Sequence, residues 1–350
     1  MSIWACAVLV IALVAACSPA AAPAAGRPAG APGAEGVAGA GASPSAARPA
    51  PIRVVANYAA RGTGHSGMWL AYEGGYFAEQ GLDVELTNIA STAPSIQAMV
   101  AGEVQLVGVD PGASIQASLG GADVVLLFAG SNRPLHSIIA QPRIVDPQAL
   151  RGGILGITRH GSATHTAALL ALDTWGLAPD RDVALRGLGQ NSAILAALQA
   201  GQIDAGVLSI PHTIAAEQGG ANTLLNLAAA GIDYPTVVVG ALRPWVAANE
   251  EAVRRFARAF AQGIYRFRAD KPWALEVYRK YLELDDPAIL DAAYGEYARC
   301  CPELPYVSEA GIARLLADLA ADDPRLAGRQ PSEFVDSRFV RELEAAPISW

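Results

Sequence analysis

The chain is expected to fold as an α/β protein with two lobes. Each lobe is an open, mainly parallel sheet flanked by helices, and two crossover strands join them. Three observations predict this. First, one unit occurs twice: Ile96 to Asp110 reads IQAMVAGEVQLVGVD and Leu195 to Ser209 reads LAALQAGQIDAGVLS. Both are a short apolar helix, a glycine, a few polar residues and an apolar strand. Second, the doubling extends upstream. Each copy is preceded by a helix ending on Gly-Leu (Gly81-Leu82, Gly176-Leu177), a strand entered through Asp-Val, and an earlier strand with a small-residue loop. Third, beyond Trp245 the pattern becomes purely helical. Two similar open sheets in one chain imply two lobes with a cleft between them.

Taken in order, residues 1–16 read as an export signal. Ile3 to Ala16 is apolar, too short to span a bilayer and suited to a signal core. Small residues before Cys17 (LVAAC) point to lipidation of that cysteine, although no Lys or Arg precedes the apolar run. An ordinary leader cleaved near Ala16 is the alternative. Residues 17–50 carry the cysteine and a stretch of almost only Ala, Pro, Gly and Ser, a composition that cannot bury a core and reads as a disordered tether. The first lobe spans 51–141 and returns over 238–350; the second spans 142–237.

In the first lobe, strands are expected near 52–58, 83–88, 104–109 and 123–129, with helices at 67–80, 94–101 and 112–119. In the second, strands are expected near 154–158, 182–186, 203–208 and 223–227, with helices at 164–175, 192–200 and 211–218. Apolar, β-branched runs near 137–142 and 236–242 read as crossover strands and natural hinges. Four helices follow, opened by Asn249, Asp270, Asp286-Pro287 and Ser308. They are expected to pack on the first lobe and shape its outer surface.

The net charge of −8 argues against a nucleic-acid partner. Ligands of open parallel sheets sit beyond the carboxyl ends of the strands, which singles out particular loops. In the first lobe these carry Tyr58, Thr63, Gly64, His65 and Ser66, then Ser91 and Thr92, Asp110 and Pro111, and Asn132 and Arg133. In the second they carry Ser162, Ala163, Thr164 and His165, then Asn191 and Ser209. Loops that lead straight into helices offer free N–H groups to polar or anionic groups. Arg61, Arg133 and Arg159 are the nearby cations.

No metal is expected: His160 and His165 are five residues apart, the wrong spacing for one helix face, and no cysteine accompanies them. The only lysines, Lys271 and Lys280, fall in the C-terminal helices, which disfavours Schiff-base chemistry. No glycine loop follows the phosphate or dinucleotide spacing. No cofactor and no catalytic residue are expected. Cys300 and Cys301 are assigned no chemistry.

The runs LAYEGGYFAEQGLDVEL, IQAMVAGEVQLVGVD, ALRGGILGITRHGSATH and LAALQAGQIDAGVLSIP, in that order, resemble the nitrate/sulfonate/taurine and thiamine-pyrimidine-precursor family of solute-binding proteins. The resemblance covers most of residues 52–245. It implies a type II periplasmic-binding-protein fold and an extracytoplasmic protein that delivers a small solute to the permease of an ABC transporter. It also implies ligand contacts from the loops at 62–66, 91–92, 110–111, 162–165 and 209–211. The expected solute is a sulfonate, a carboxylate or a pyrimidine-like molecule, the expected membrane contact is the lipid anchor, and a monomer is expected. An enzyme or sensor domain on the same scaffold is the alternative. A thiamine-pyrimidine synthase relative uses a cysteine-rich motif that Cys300-Cys301-Pro302 does not reproduce.

Overall fold

A computed structural model describes residues 50–345 and Ile348. The export segment, Cys17 and all but the last residue of the tether lie outside the described residues. In chain order the strands are β1 (Ile52–Tyr58), β2 (Leu82–Asn88), β3 (Leu106–Val109), β4 (Val124–Ser131), β5 (Ser137–Ala140), β6 (Ile154–Ile157), β7 (Ala184–Gly187), β8 (Ala205–Leu208), β9 (Asn222–Asn226) and β10 (Val237–Leu242). They form two five-stranded sheets, ordered β2-β1-β3-β10-β4 and β7-β6-β8-β5-β9. β10 runs antiparallel between β3 and β4, and β5 runs antiparallel between β8 and β9. The pairings of β1 with β2 and β3, and of β6 with β7 and β8, are parallel. Each sheet is therefore a parallel array holding one strand of opposite sense.

The helices are α1 (Ser66–Glu73), α2 (Tyr76–Glu79), α3 (Thr92–Val100), α4 (Pro111–Ala117), α5 (Ala163–Thr174), α6 (Asn191–Gln199), α7 (His212–Gln218), α8 (Arg243–Ala248), α9 (Glu250–Ala269), α10 (Lys271–Leu282), α11 (Pro287–Cys300), α12 (Glu309–Ala320) and α13 (Arg338–Glu344). The helix expected over 67–80 is two helices. Gly75 adopts φ +75°, a left-handed conformation that ends α1 and restarts the chain as α2.

The strands expected to act as hinges are interior members of the sheets. β5, expected within the first lobe's span, is hydrogen-bonded on both edges in the second sheet, and β10 is hydrogen-bonded on both edges in the first. Each is entered directly from the other sheet, so the segments that cross are 132–136, just before β5, and 227–236, just before β10. These crossings run side by side and are bonded to each other: Tyr234 N–H donates to Asn132 O at 2.9 Å and Leu227 N–H to His136 O at 3.0 Å. The Arg133 guanidinium donates to Ala228 O at 3.2 Å and so ties one crossing to the other.

One apolar core lies under α1, α2, α9, α10 and α11 and includes Trp69, Phe128, Phe256, Phe260 and Tyr278. A second core is continuous across both sheets. It joins Leu126 and Ala129 of β4 to Ile138 of β5, Leu155 of β6 and Leu170 of α5, with Ile312, Leu315 and Leu316 of α12 among them. α12 therefore does more than coat the first lobe. Arg314 on α12 also pairs with Asp173 on α5 at 2.9 Å.

Candidate functional site

The carboxyl ends of the parallel strands and the two crossings enclose a cleft with two cavities, of about 380 and 360 Å³. Ala163 and Thr236 line both. The first cavity lies among the starts of α3, α4 and α5, and Leu315 and Leu319 of α12 close one side. The second lies between the 3-10 turn Thr63–His65, the crossings, and the α10–α11 region.

The start of α5 is a preformed turn. Ser162 caps the helix, its hydroxyl accepting from His165 N–H at 3.4 Å and donating to Arg159 O at 2.7 Å. The hydroxyls of Thr158, Ser162 and Thr164 lie 2.8–2.9 Å from one another. Thr164 is buried and its hydroxyl also accepts from Thr158 N–H at 2.9 Å. The side chains are thus spent on the turn, and the first backbone N–H groups of the helix are what remains for a ligand. Opposite, Asp110 is exposed to the first cavity, and its carboxylate caps α4 by accepting from Ala113 N–H at 2.9 Å. Arg159, also exposed, brings a positive charge to this cavity.

The second cavity has a different character. Leu135, Leu282, Leu284 and Ala293 supply apolar walls. Thr63, His65 and Glu296 enter as polar groups, and all three are buried. The Thr63 hydroxyl donates to Glu296 Oε2 at 3.1 Å. Burial pushes the Glu296 carboxyl up to about 7 and holds the His65 imidazole down at about 4. His136, at the mouth of β5, is likewise lowered by burial to about 4. Arg61 lines this cavity but its charge is matched by Glu283.

Of the residues singled out from the sequence, Thr63, Gly64, His65, Ala163 and Ser209 line the second cavity, and Thr92, Asp110, Ser162 and Ala163 line the first. The others stand behind these. Tyr58 packs edge-on against Trp69, with ring centres 5.5 Å apart. Ser66 is buried; its hydroxyl donates to Thr63 O and lies 2.9 Å from the Tyr278 hydroxyl, which can donate to it. Ser91 precedes α3 with φ +83°, and Pro111 opens α4. Asn132 accepts from Ser308 N–H and donates to Tyr306 O, so it anchors the segment before α12. Arg133 donates to main-chain carbonyls of Ala228 and Arg299, a positioning role for the crossing. His165 Nδ1 accepts from Gly161 N–H, and Asn191 Nδ2 donates to Ser209 Oγ.

Glu296, Leu282, Leu284, Leu315, Tyr234 and Thr236 also line the cleft, and sequence reasoning did not pick them out. Four of them belong to the C-terminal helical region expected only to shape the outer surface. Glu296 meets Thr63 across 233 residues of sequence, a separation that leaves no local signal.

A family model described as NMT1/THI5 like matches residues 62–272. Comparison with curated protein sequences finds no match. Among solved structures, the periplasmic aliphatic sulphonate binding protein SsuA from Escherichia coli is 21% identical, with a TM-score of 0.65 over 80% of this chain and 95% of that one. The periplasmic nitrate-binding protein NrtA from Synechocystis is 14% identical, with a TM-score of 0.65 over 85% of this chain and 90% of that one. The Candida albicans CA3427 gene product, described as having the generic periplasmic binding protein structural fold, is 14% identical, with a TM-score of 0.58 over 82% and 96%. These likenesses show a shared overall fold. With the family match extending over more than half of its length, the chain belongs to the NMT1/THI5-like family.

Proposed function

We propose that this chain is an exported, lipid-anchored solute-binding protein that captures a small polar organic solute in the interlobe cleft and hands it to the permease of an ABC transporter. The observation that carries the reading is the cleft itself: its two adjoining cavities are lined from both sheets by loops that follow strand ends. The sulphonate- and nitrate-binding neighbours support solute capture as the work of this fold. The apolar leader, Cys17 and the Ala/Pro/Gly tether support export and anchoring. In this reading Thr63, Gly64, His65 and Ser209 contact one part of the solute. Thr92, Asp110, Ser162 and Ala163 contact the other, with Arg159 adding charge.

The experiment is native mass spectrometry of the full chain as purified from its own cells, followed by denaturation and identification of what is released. The expected result is one stoichiometric small molecule that rebinds the stripped protein. A protein that retains and rebinds nothing, or that steadily consumes the molecule, would overturn the reading. In the same cells, Cys17→Ser should move the protein from the membrane fraction to the soluble extract.

A further inference from the structure

The second cavity contains a carboxyl group with no ion-pair partner in contact among the described residues. Glu296 is 5% exposed, yet it forms no ion pair with any described residue. Its Oε2 accepts one hydrogen bond, from the Thr63 hydroxyl, and its Oε1 accepts from no donor among the described residues. Each cation that could serve is committed elsewhere or set apart. Arg61 is paired with Glu283. Arg133 donates to two main-chain carbonyls. Arg299, one turn along α11, acts on Glu296 only through space.

The histidines do not supply the charge either. His65, also 5% exposed, lines the same cavity. Its Nδ1 has no hydrogen-bond partner among the described residues and lies against Gly108, where a β-carbon would sit 2.9 Å from it. His136 likewise has a buried Nδ1 with no hydrogen-bond partner among the described residues. Imidazoles sealed this way stay neutral, because the charged form would lose hydration without a compensating acceptor. A buried carboxylate is tolerated when it is paired; left alone its charge is costly and it takes up a proton more readily, as Glu296 does, so a cation placed beside it favours the ionised form. Here the missing partner faces a cavity of about 360 Å³ whose other walls are Leu135, Leu282, Leu284 and Ala293.

We propose that this cavity receives the protonated nitrogen head of a small organic cation, an ammonium or amidinium, with Glu296 as its counter-ion and the leucine walls taking its hydrocarbon or ring body. The proposal rests on the solute-binding reading and narrows the solute class. An anionic head would meet the Glu296 charge here without a paired donor. Of the sulfonate, carboxylate or pyrimidine-like solutes expected from the sequence, the two anionic kinds suit the other cavity better, where Arg159 and the start of α5 stand across from Asp110. A charge-assisted hydrogen bond to a desolvated carboxylate is the strongest contact the cavity offers, so it decides selectivity.

The test is calorimetric titration of the full chain, stripped of bound solute, with benzamidine, benzyl alcohol and benzylsulfonate, three probes of one ring and three head charges. Benzamidine is expected to bind at least tenfold more tightly than either of the others. Glu296→Gln is expected to lose that preference, and Glu296→Asp to restore part of it. The preference of the unaltered protein can be read even if a variant fails to fold, which melting curves reveal. Benzylsulfonate or benzyl alcohol binding as tightly as benzamidine overturns the proposal. So does no benzamidine binding, or unchanged benzamidine binding in folded Glu296→Gln. The two readings fail separately: an anion released from the purified protein would leave solute capture standing and remove the cation assignment.

Discussion

Glu296 has a consequence for stability as well as for binding. Its carboxyl is raised from 4.5 to about 7 in the folded chain, with burial the main cause. The unfolded chain ionises this group first, so the folded state binds the extra proton between those two values. Its contribution is most favourable below pH 4.5 and is lost as pH rises through 7. At most this amounts to roughly 3 kcal/mol, since each tenfold change in proton affinity is worth about 1.4 kcal/mol. Glu296→Gln should therefore melt above the unaltered protein at pH 8, with the difference shrinking towards zero near pH 4, as read by thermal melts across the range. A difference that grows on acidification would contradict this. His65 works in the opposite sense: held near 4 from 6.5, it withdraws stability as pH falls between those values. The local part of the site was legible in sequence, because capping is local chemistry. Ser162 before α5 and Asp110-Pro111 before α4 both sit where the residue types say. Arg133 was not legible in the same way. It looked like a cation for a ligand, but the carbonyls that absorb it lie 95 and 166 residues away.

Among the elements, α9 shows how tightly the first lobe is built. Its Gly263 faces α1 so closely that a β-carbon there would lie 2.6 Å from Ala71 N and 2.9 Å from Leu70 C. Both are main-chain atoms, so no rotamer change relieves the clash. In an exposed helix interior, Gly→Ala stabilises by roughly 1 kcal/mol. At Gly263 the sign should reverse, with a loss of about 1–3 kcal/mol typical of overpacked cores, measured by chemical denaturation. A neutral or stabilising Gly263→Ala would mean that α1 and α9 can separate at little cost. Most elements were readable from periodicity, because their strands are short apolar runs between polar loops and their helices carry apolar faces. Pairing was less so. β5 and β10 look like any apolar strand, and only the three-dimensional order reveals that each is gripped on both sides.

For the molecule as a whole, the second core decides how the lobes respond to heat. Because one apolar cluster runs from β4 through α12 and α5 to β6, neither sheet can be exposed without stripping the other. Residues 51–350 should therefore unfold in a single calorimetric transition whose van't Hoff and calorimetric enthalpies agree. Two resolved transitions would show the lobes to be independent. The strand order has a further consequence, in time rather than in space. β4 pairs with no strand of the first sheet except β10, and β9 with none of the second except β5. As the chain leaves the ribosome, the first sheet lacks the strand that joins β4 to it until residue 242 has been made, by which point the whole second lobe has been synthesised. Long-range pairings of this kind slow folding. If the chain is exported as proposed, this strand order would leave the first sheet incomplete, and the chain easier to thread, until late in synthesis.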